Sequence, residues 1–188
     1  MKNHIVLFAL VLIVLVSGCG GNPSDQEATE EGFLKIQDAL KEKFGNKAFY
    51  TELNISYYEA IGMVIGVTVT NEPESLEMGQ WSLSQNSWTQ TSEISLEVPE
   101  GMQASDYMFQ LGDPIDLGLL GRLIEESKDN LESEKDIPKP AFQLAWVKIP
   151  KDGVRSKIEY LVKLQPENGG TTFTYNYNLN GELIDLFY

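Results

Sequence analysis

The sequence has one cysteine, Cys19, and one histidine, His4, both within its first nineteen residues. A lone cysteine cannot form an internal disulfide, so the fold must rest on packing. Beyond Cys19 there is neither thiol nor imidazole. That excludes Ser-His-Asp and Cys-His catalysis there, and also a zinc centre built from histidine and thiolate. Basic residues are scarce as well: 14 Lys and Arg face 28 Asp and Glu, giving a formal net charge of −14. A surface this acidic repels phosphate backbones and anionic headgroups, which argues against nucleic acid as a partner. No apolar run approaches the roughly 20 residues that a membrane-spanning helix needs.

The longest apolar run, Ile5–Val16, follows a basic Lys2 and leads into Ser17-Gly18. Its length suits the apolar region of a signal peptide, which is roughly 7–15 residues long. The next residue is the only cysteine. Val16-Ser17-Gly18-Cys19 resembles the lipobox of bacterial lipoprotein signal peptides, with valine where leucine is commoner. The resemblance implies cleavage before Cys19, a diacylglycerol thioether on its sulfur, and fatty acylation, such as a palmitate, of the new amino terminus. Two or more acyl chains hold a protein on a bilayer where one binds reversibly. The expected location is therefore the cell envelope, on the extracytoplasmic side. In a bacterium with two membranes, Gly20 after the cysteine resembles the outer-membrane sorting pattern. Removing 18 of the 188 residues takes away Lys2 and no acid, so the formal charge moves from −14 to −15.

The 19–31 segment continues with small, polar and acidic residues (GGNPSDQEATEE) and reads as a flexible tether. Phe33, Ile36, Leu40 and Phe44 then recur at helical spacing, and Gly45-Asn46 supplies a stop. Period-two alternation follows. Leu53, Ile55 and Tyr57 mark a first strand and Met63 to Val69 a second. Trp81 and Leu83 mark a third, and Trp88 to Val98, beyond a Gln85-Asn86 turn, a fourth. Met102–Gly112 has no clear period and reads as a loop. Asp113-Pro114-Ile115-Asp116 predicts a helix start, with Asp113 as the cap and Pro114 in the first helical position. Leu117, Leu120, Ile124 and Leu131 form its stripe. Strands are predicted over Phe142–Ile149, Val154–Leu164, Thr171–Leu179 and Glu182–Tyr188, the last two joined by Asn180-Gly181 as a type I′ turn.

The fold class expected is α+β. A helix and a four-stranded antiparallel meander occur over 32–101 and again over 102–188, with the helices on one sheet face. Whether the halves share one sheet stays open. The aromatic strand, Asn-Gly turn and closing strand of Thr171–Ile184 (TTFTYNYNLNGELI) are similar to tandem periplasmic domains. Examples are the PepSY-like lipoproteins and the β-lactamase-inhibitor-protein fold.

Aromatic residues are the main candidates for contact with a ligand. Phe173, Tyr175 and Tyr177 share one face of a strand, with Thr172, Thr174, Asn176 and Asn178 on the other. Period-two aromatics mostly face a core, which would leave the Thr/Asn face open to hydrogen-bond a partner. Trp81 and Trp146 hold similar places in the two halves, which favours core. Trp88 lies in a polar stretch (SQNSWTQTS) and, with Tyr177, is the candidate for an exposed ligand contact. The acids from Glu125 to Asp136 suit a solvated helix face, and no calcium loop pattern is present, so no metal or cofactor is expected.

The reading these features favour is a non-enzymatic, membrane-tethered protein- or peptide-binding adaptor, inhibitor-like domains included. It would present a sheet face or hairpin edge to an envelope protein. A glycan-binding accessory lipoprotein using Trp88 or Tyr177 is the alternative. A carboxylate-dependent hydrolase, for which no residue can be chosen among so many acids, is the third.

Overall fold

The computed structural model describes residues 21–150 and 152–188. The lipobox residues Val16, Ser17, Gly18 and Cys19 lie outside the described residues. Two helices and eight strands follow one another in the order α1 (Glu30–Phe44), β1 (Phe49–Tyr58), β2 (Gly62–Thr70), β3 (Glu77–Ser84), β4 (Ser87–Ser95), α2 (Leu117–Lys135), β5 (Pro140–Lys148), β6 (Glu159–Pro166), β7 (Phe173–Asn178) and β8 (Leu183–Phe187). All the strands join one antiparallel sheet, ordered β4-β3-β2-β1-β5-β6-β7-β8. Every strand thus sits beside a sequence neighbour on at least one side, and the single long crossover brings β5 against β1. At that seam Leu53 to Ser56 pair with Val147 to Leu144.

Both helices lie on the same sheet face. Phe33, Ile36 and Leu40 of α1 and Leu120, Ile124 and Leu131 of α2 share one buried cluster with Leu53, Ile65, Val147 and Val162 of the strands. Phe33 meets Phe142 of β5 edge to face at 6.0 Å, so α1 reaches across the seam. At the other end of α1, Phe44 packs on Tyr50, Trp81 and Trp88. The helices also touch each other closely. No helix among the described residues is long and apolar enough to cross a membrane.

The ends of α1 follow from its sequence. Thr29 Oγ1 accepts from Gly32 N–H, and Gly45, at φ +99°, lets its own N–H reach back to the Lys41 carbonyl. The start of α2 differs from expectation. Asp116, not Asp113, is the cap: its carboxylate accepts from Gly118 N–H at 2.8 Å, and the helix begins at Leu117. The backbone of Asp116 is fixed from below, because Tyr160 Oη accepts from its N–H and donates to its carbonyl. Asp116→Ala should therefore cost about 1 kcal/mol in a urea melt. Asp113→Ala should stay within roughly 0.5 kcal/mol of wild type. Equal losses would return the cap to Asp113.

Three further expectations need correction. Residues 22–31 do not hang as a tether. Pro23–Asp25 form a 3₁₀ turn in which Ser24 is buried, and Ser24 and Asn86 exchange two hydrogen bonds, Ser24 N–H to Asn86 Oδ1 and Asn86 N–H to Ser24 Oγ. Second, the Asn180-Gly181 turn is not type I′. Of the two, only Gly181 has positive φ, and Asn178 Oδ1 closes a four-residue loop by accepting from Asn180 and Glu182 N–H. The two-residue turn with both φ values positive is Gln85-Asn86. Third, β4 stops at Ser95. Leu96 and Val98 run on to pack with Met78, Ala104 and Met108 in a small second cluster. The unpatterned 102–112 stretch supplies that cluster through a 3₁₀ turn, Ala104–Tyr107.

Candidate binding surfaces

The ladder registers divide the sheet's side chains between its two faces. Leu53, Ile65, Leu83, Val147 and Tyr160 point to the helices. Their neighbours point the other way, where neither α1 nor α2 lies; at one end of this face Met78 is buried under Ala104 and Met108 of the 102–112 stretch. Successive side chains of a strand alternate, so reading across the pairs gives the cross-sheet rows of this second face. One row runs from Ser82 through Gly66, Asn54, Trp146 and Leu161 to Asn176. The next runs from Ser92 through Gln80 and Thr68 to Glu52.

The aromatic candidates are redistributed by this geometry. Tyr177, expected as a ligand contact, is 4% exposed: its ring stacks on Tyr175 at 6.0 Å and its hydroxyl bonds Ser127 at 2.7 Å. A ring so enclosed has no face for a ligand. Trp88 is half-buried on the helix side, with its ring edge-on to Phe44 at 5.1 Å. Trp81 packs on Phe44 too and carries Lys43 Nζ 4.9 Å above its ring. Trp146, expected in the core, is the tryptophan that stands out, at 36% exposed. Ala145 and Val147 take the core positions beside it, because an irregularity between Phe142 and Leu144 shifts the alternation by one. No sequence pattern marks that shift.

Around Trp146 the second face is hollowed into a groove of about 610 Å³ that runs under Gln80, Thr68 and Glu52 to Ile94 and Ile149. Glu52 is the one charged residue among the described residues lining it. Its carboxylate accepts from Asn54 Nδ2 at 3.3 Å and from Thr68 Oγ1 at 3.5 Å. Gln80 Oε1 accepts from the Ser92 hydroxyl. A methyl group at Gly66 would stand 2.8 Å from Asn54 Oδ1, so the glycine makes room for that amide.

The sheet edges differ in character. Outer strand β4 is polar, with Thr89, Gln90, Thr91 and Glu93 exposed. Outer strand β8 exposes Leu183 (51%), Ile184 and Phe187 (56%), and β7 occupies only one of its two sides. Its pairing slips once, at Ile184, between Asn176 and Tyr177 of β7.

A second pocket, of about 580 Å³, lies where Asp25 to Thr29 cross the strand ends at Tyr57 and Met63. Lys128 reaches it from α2, and burial draws its amine below the usual lysine range against the pull of Glu125, Glu27, Asp129 and Glu132. No group of three or more His, Cys, Asp or Glu among the described residues is placed to hold a metal ion.

Comparison with known proteins adds nothing to this geometry: no family model, no curated protein and no solved structure matches the chain.

Proposed function

We propose that the chain is a lipid-anchored, extracytoplasmic binding protein without catalytic activity, tethered through Cys19 and engaging a protein or peptide of the cell envelope along the β8 edge. The supporting observation is that edge. An outer strand leaves backbone N–H and C=O groups unpaired, and proteins usually guard such edges with lysine, proline or polar side chains. The β4 edge is guarded in that way. The β8 edge instead offers Leu183, Ile184 and Phe187, the arrangement by which an extended segment of a partner adds one more strand. The chain's acidity favours a partner whose contacting strand carries lysine or arginine. In this reading the helix and four-strand meander is a unit used twice, over 32–101 and 102–188, the halves meeting at β1 and β5. The strand order, which reads alike outward from that seam, supports it.

The test is crosslinking in living cells, followed by detergent extraction and mass spectrometry of the captured protein. Wild type should yield one envelope protein in near-equal amount, and Cys19→Ala and Ile184→Lys should each lose it. A thermal melt of Ile184→Lys must match wild type, since position 184 is a surface site. Undiminished capture by the folded Ile184→Lys variant would remove the edge as the contact.

A further inference from the structure

We propose that the groove on the second sheet face is a binding site for a neutral oligosaccharide, with Trp146 as the stacking platform. This surface is distinct from the β8 edge, and the proposal does not depend on a protein partner.

An antiparallel sheet can leave one face to water, and serine, threonine and asparagine are what such a face needs. Water alone does not explain a half-exposed tryptophan on a central strand. Trp146 sits in β5, the fifth strand counted from the β4 edge and the fourth from the β8 edge, with its indole turned away from the core. The electron-rich face of the ring suits the polarised C–H groups of a pyranose. The hydroxyls around such a ring need donors and acceptors held in place. They are present: Glu52 is oriented by Asn54 and Thr68, and Gln80 by Ser92. Fixing those groups beforehand lowers the ordering cost of binding a flexible sugar chain.

Charge and reach select the ligand further. Glu52 is the only charged residue among the described lining residues, and the chain's net charge of −14 repels polyanions such as phosphorylated or uronic-acid polymers. A peptide strand would find few backbone partners on this face, because the N–H and C=O groups of β2 lie in the plane of the sheet, paired with β1 on one side and β3 on the other. From Trp146 through Asn54 and Gly66 to Ser82 the row crosses three inter-strand steps, roughly 14 Å, the length of a short oligosaccharide. Ile94 at one end and Ile149-Pro150 at the other give the groove apolar limits.

The purified protein would be titrated with neutral hexasaccharides of the cello, xylo, manno, chito, malto and laminari series, with oligogalacturonate as the acidic control. Binding would be read by calorimetry and by tryptophan emission. At least one neutral series should bind saturably, and Trp146→Ala should weaken it at least about tenfold. Trp88→Phe should leave affinity unchanged, and so should Ile184→Lys, which separates this site from the partner edge. A thermal melt establishes that Trp146→Ala is folded. No heat with any neutral sugar, or equal affinity in the folded Trp146→Ala variant, would overturn the proposal.

Discussion

Titrated upward from neutrality, the protein should hold its stability to about pH 10 and then lose it steeply. The cause is tyrosine. Tyr50 is buried and its hydroxyl has no hydrogen-bond partner among the described residues; burial pushes its pKa far above the ordinary 10. Burial likewise raises Tyr160 to about 12, against the pull of its hydrogen bond to Asp116. Tyr175 rises to about 12 through burial and its neighbours Tyr177 and Glu134, and Tyr177 is raised chiefly by burial. Below the ordinary value every one of these hydroxyls is protonated in both states, and the linkage is silent. Above it the unfolded chain releases protons that the folded chain keeps, so the unfolded state gains, by roughly 1.4 kcal/mol per pH unit for each tyrosine. Tyr50 and Tyr160 alone would remove about 3 kcal/mol by about pH 11, a large share of the 5–15 kcal/mol typical of a domain. Urea melts at rising pH measure the slope directly. Tyr50→Phe should flatten it while costing little at neutral pH, because the hydroxyl it removes satisfies nothing. An unchanged slope in that variant would mean that Tyr50 ionises freely in the fold.

The second large effect comes from a single methyl group. Gly121→Ala improves intrinsic helix propensity by up to about 1 kcal/mol, and on an exposed helix it would stabilise. In α2 the new carbon would run into the Thr29 carbonyl oxygen and stand 2.8 Å from Glu30 Cα. Those are backbone atoms at the capped start of α1, held by the Thr29–Gly32 bond and by Glu125, whose carboxylate accepts from Glu30 N–H at 2.9 Å. They cannot turn aside as a side chain would. The helices must move apart, and overpacking of this kind costs about 1–3 kcal/mol, sometimes more. Crowding therefore wins over propensity, and Gly121→Ala should lower the urea midpoint. A raised midpoint would mean that the two helices pack less tightly than described.

Much of the architecture is legible in the sequence because burial imposes periodicity. Phe33, Ile36 and Leu40 mark α1, and Leu53, Ile55, Met63 and Ile65 mark the first hairpin, with their inward faces as expected. What escapes is set by contacts between distant segments. Asp113 and Asp116 are equally good caps in isolation, and the choice falls to Asp116 because Tyr160, 44 residues away, holds its backbone. Gly121 looks like an ordinary weak point of a helix until Thr29 is placed against it. The acidic stretch after Cys19 has nothing to bury except Ser24 and Ala28, and only the Asn86 turn reveals that they are bound. The candidate site suffers most. Trp146 changes faces through a one-residue slip in β5, and Tyr177 is claimed by Ser127, so the aromatics that composition singles out are not those the fold presents.

The docked turn at Pro23–Asp25 also bears on height. With a lipid on Cys19, five peptide steps would separate the bilayer from Ser24, the first residue bonded to the body of the domain, a reach of at most about 18 Å. The domain would then ride close above the headgroups on the end that carries the Gln85-Asn86 turn, free to drift sideways but not to lean far outward. On the proposed anchor, its search for a partner would become a search in two dimensions, confined to molecules that pass within one protein's width of the same membrane.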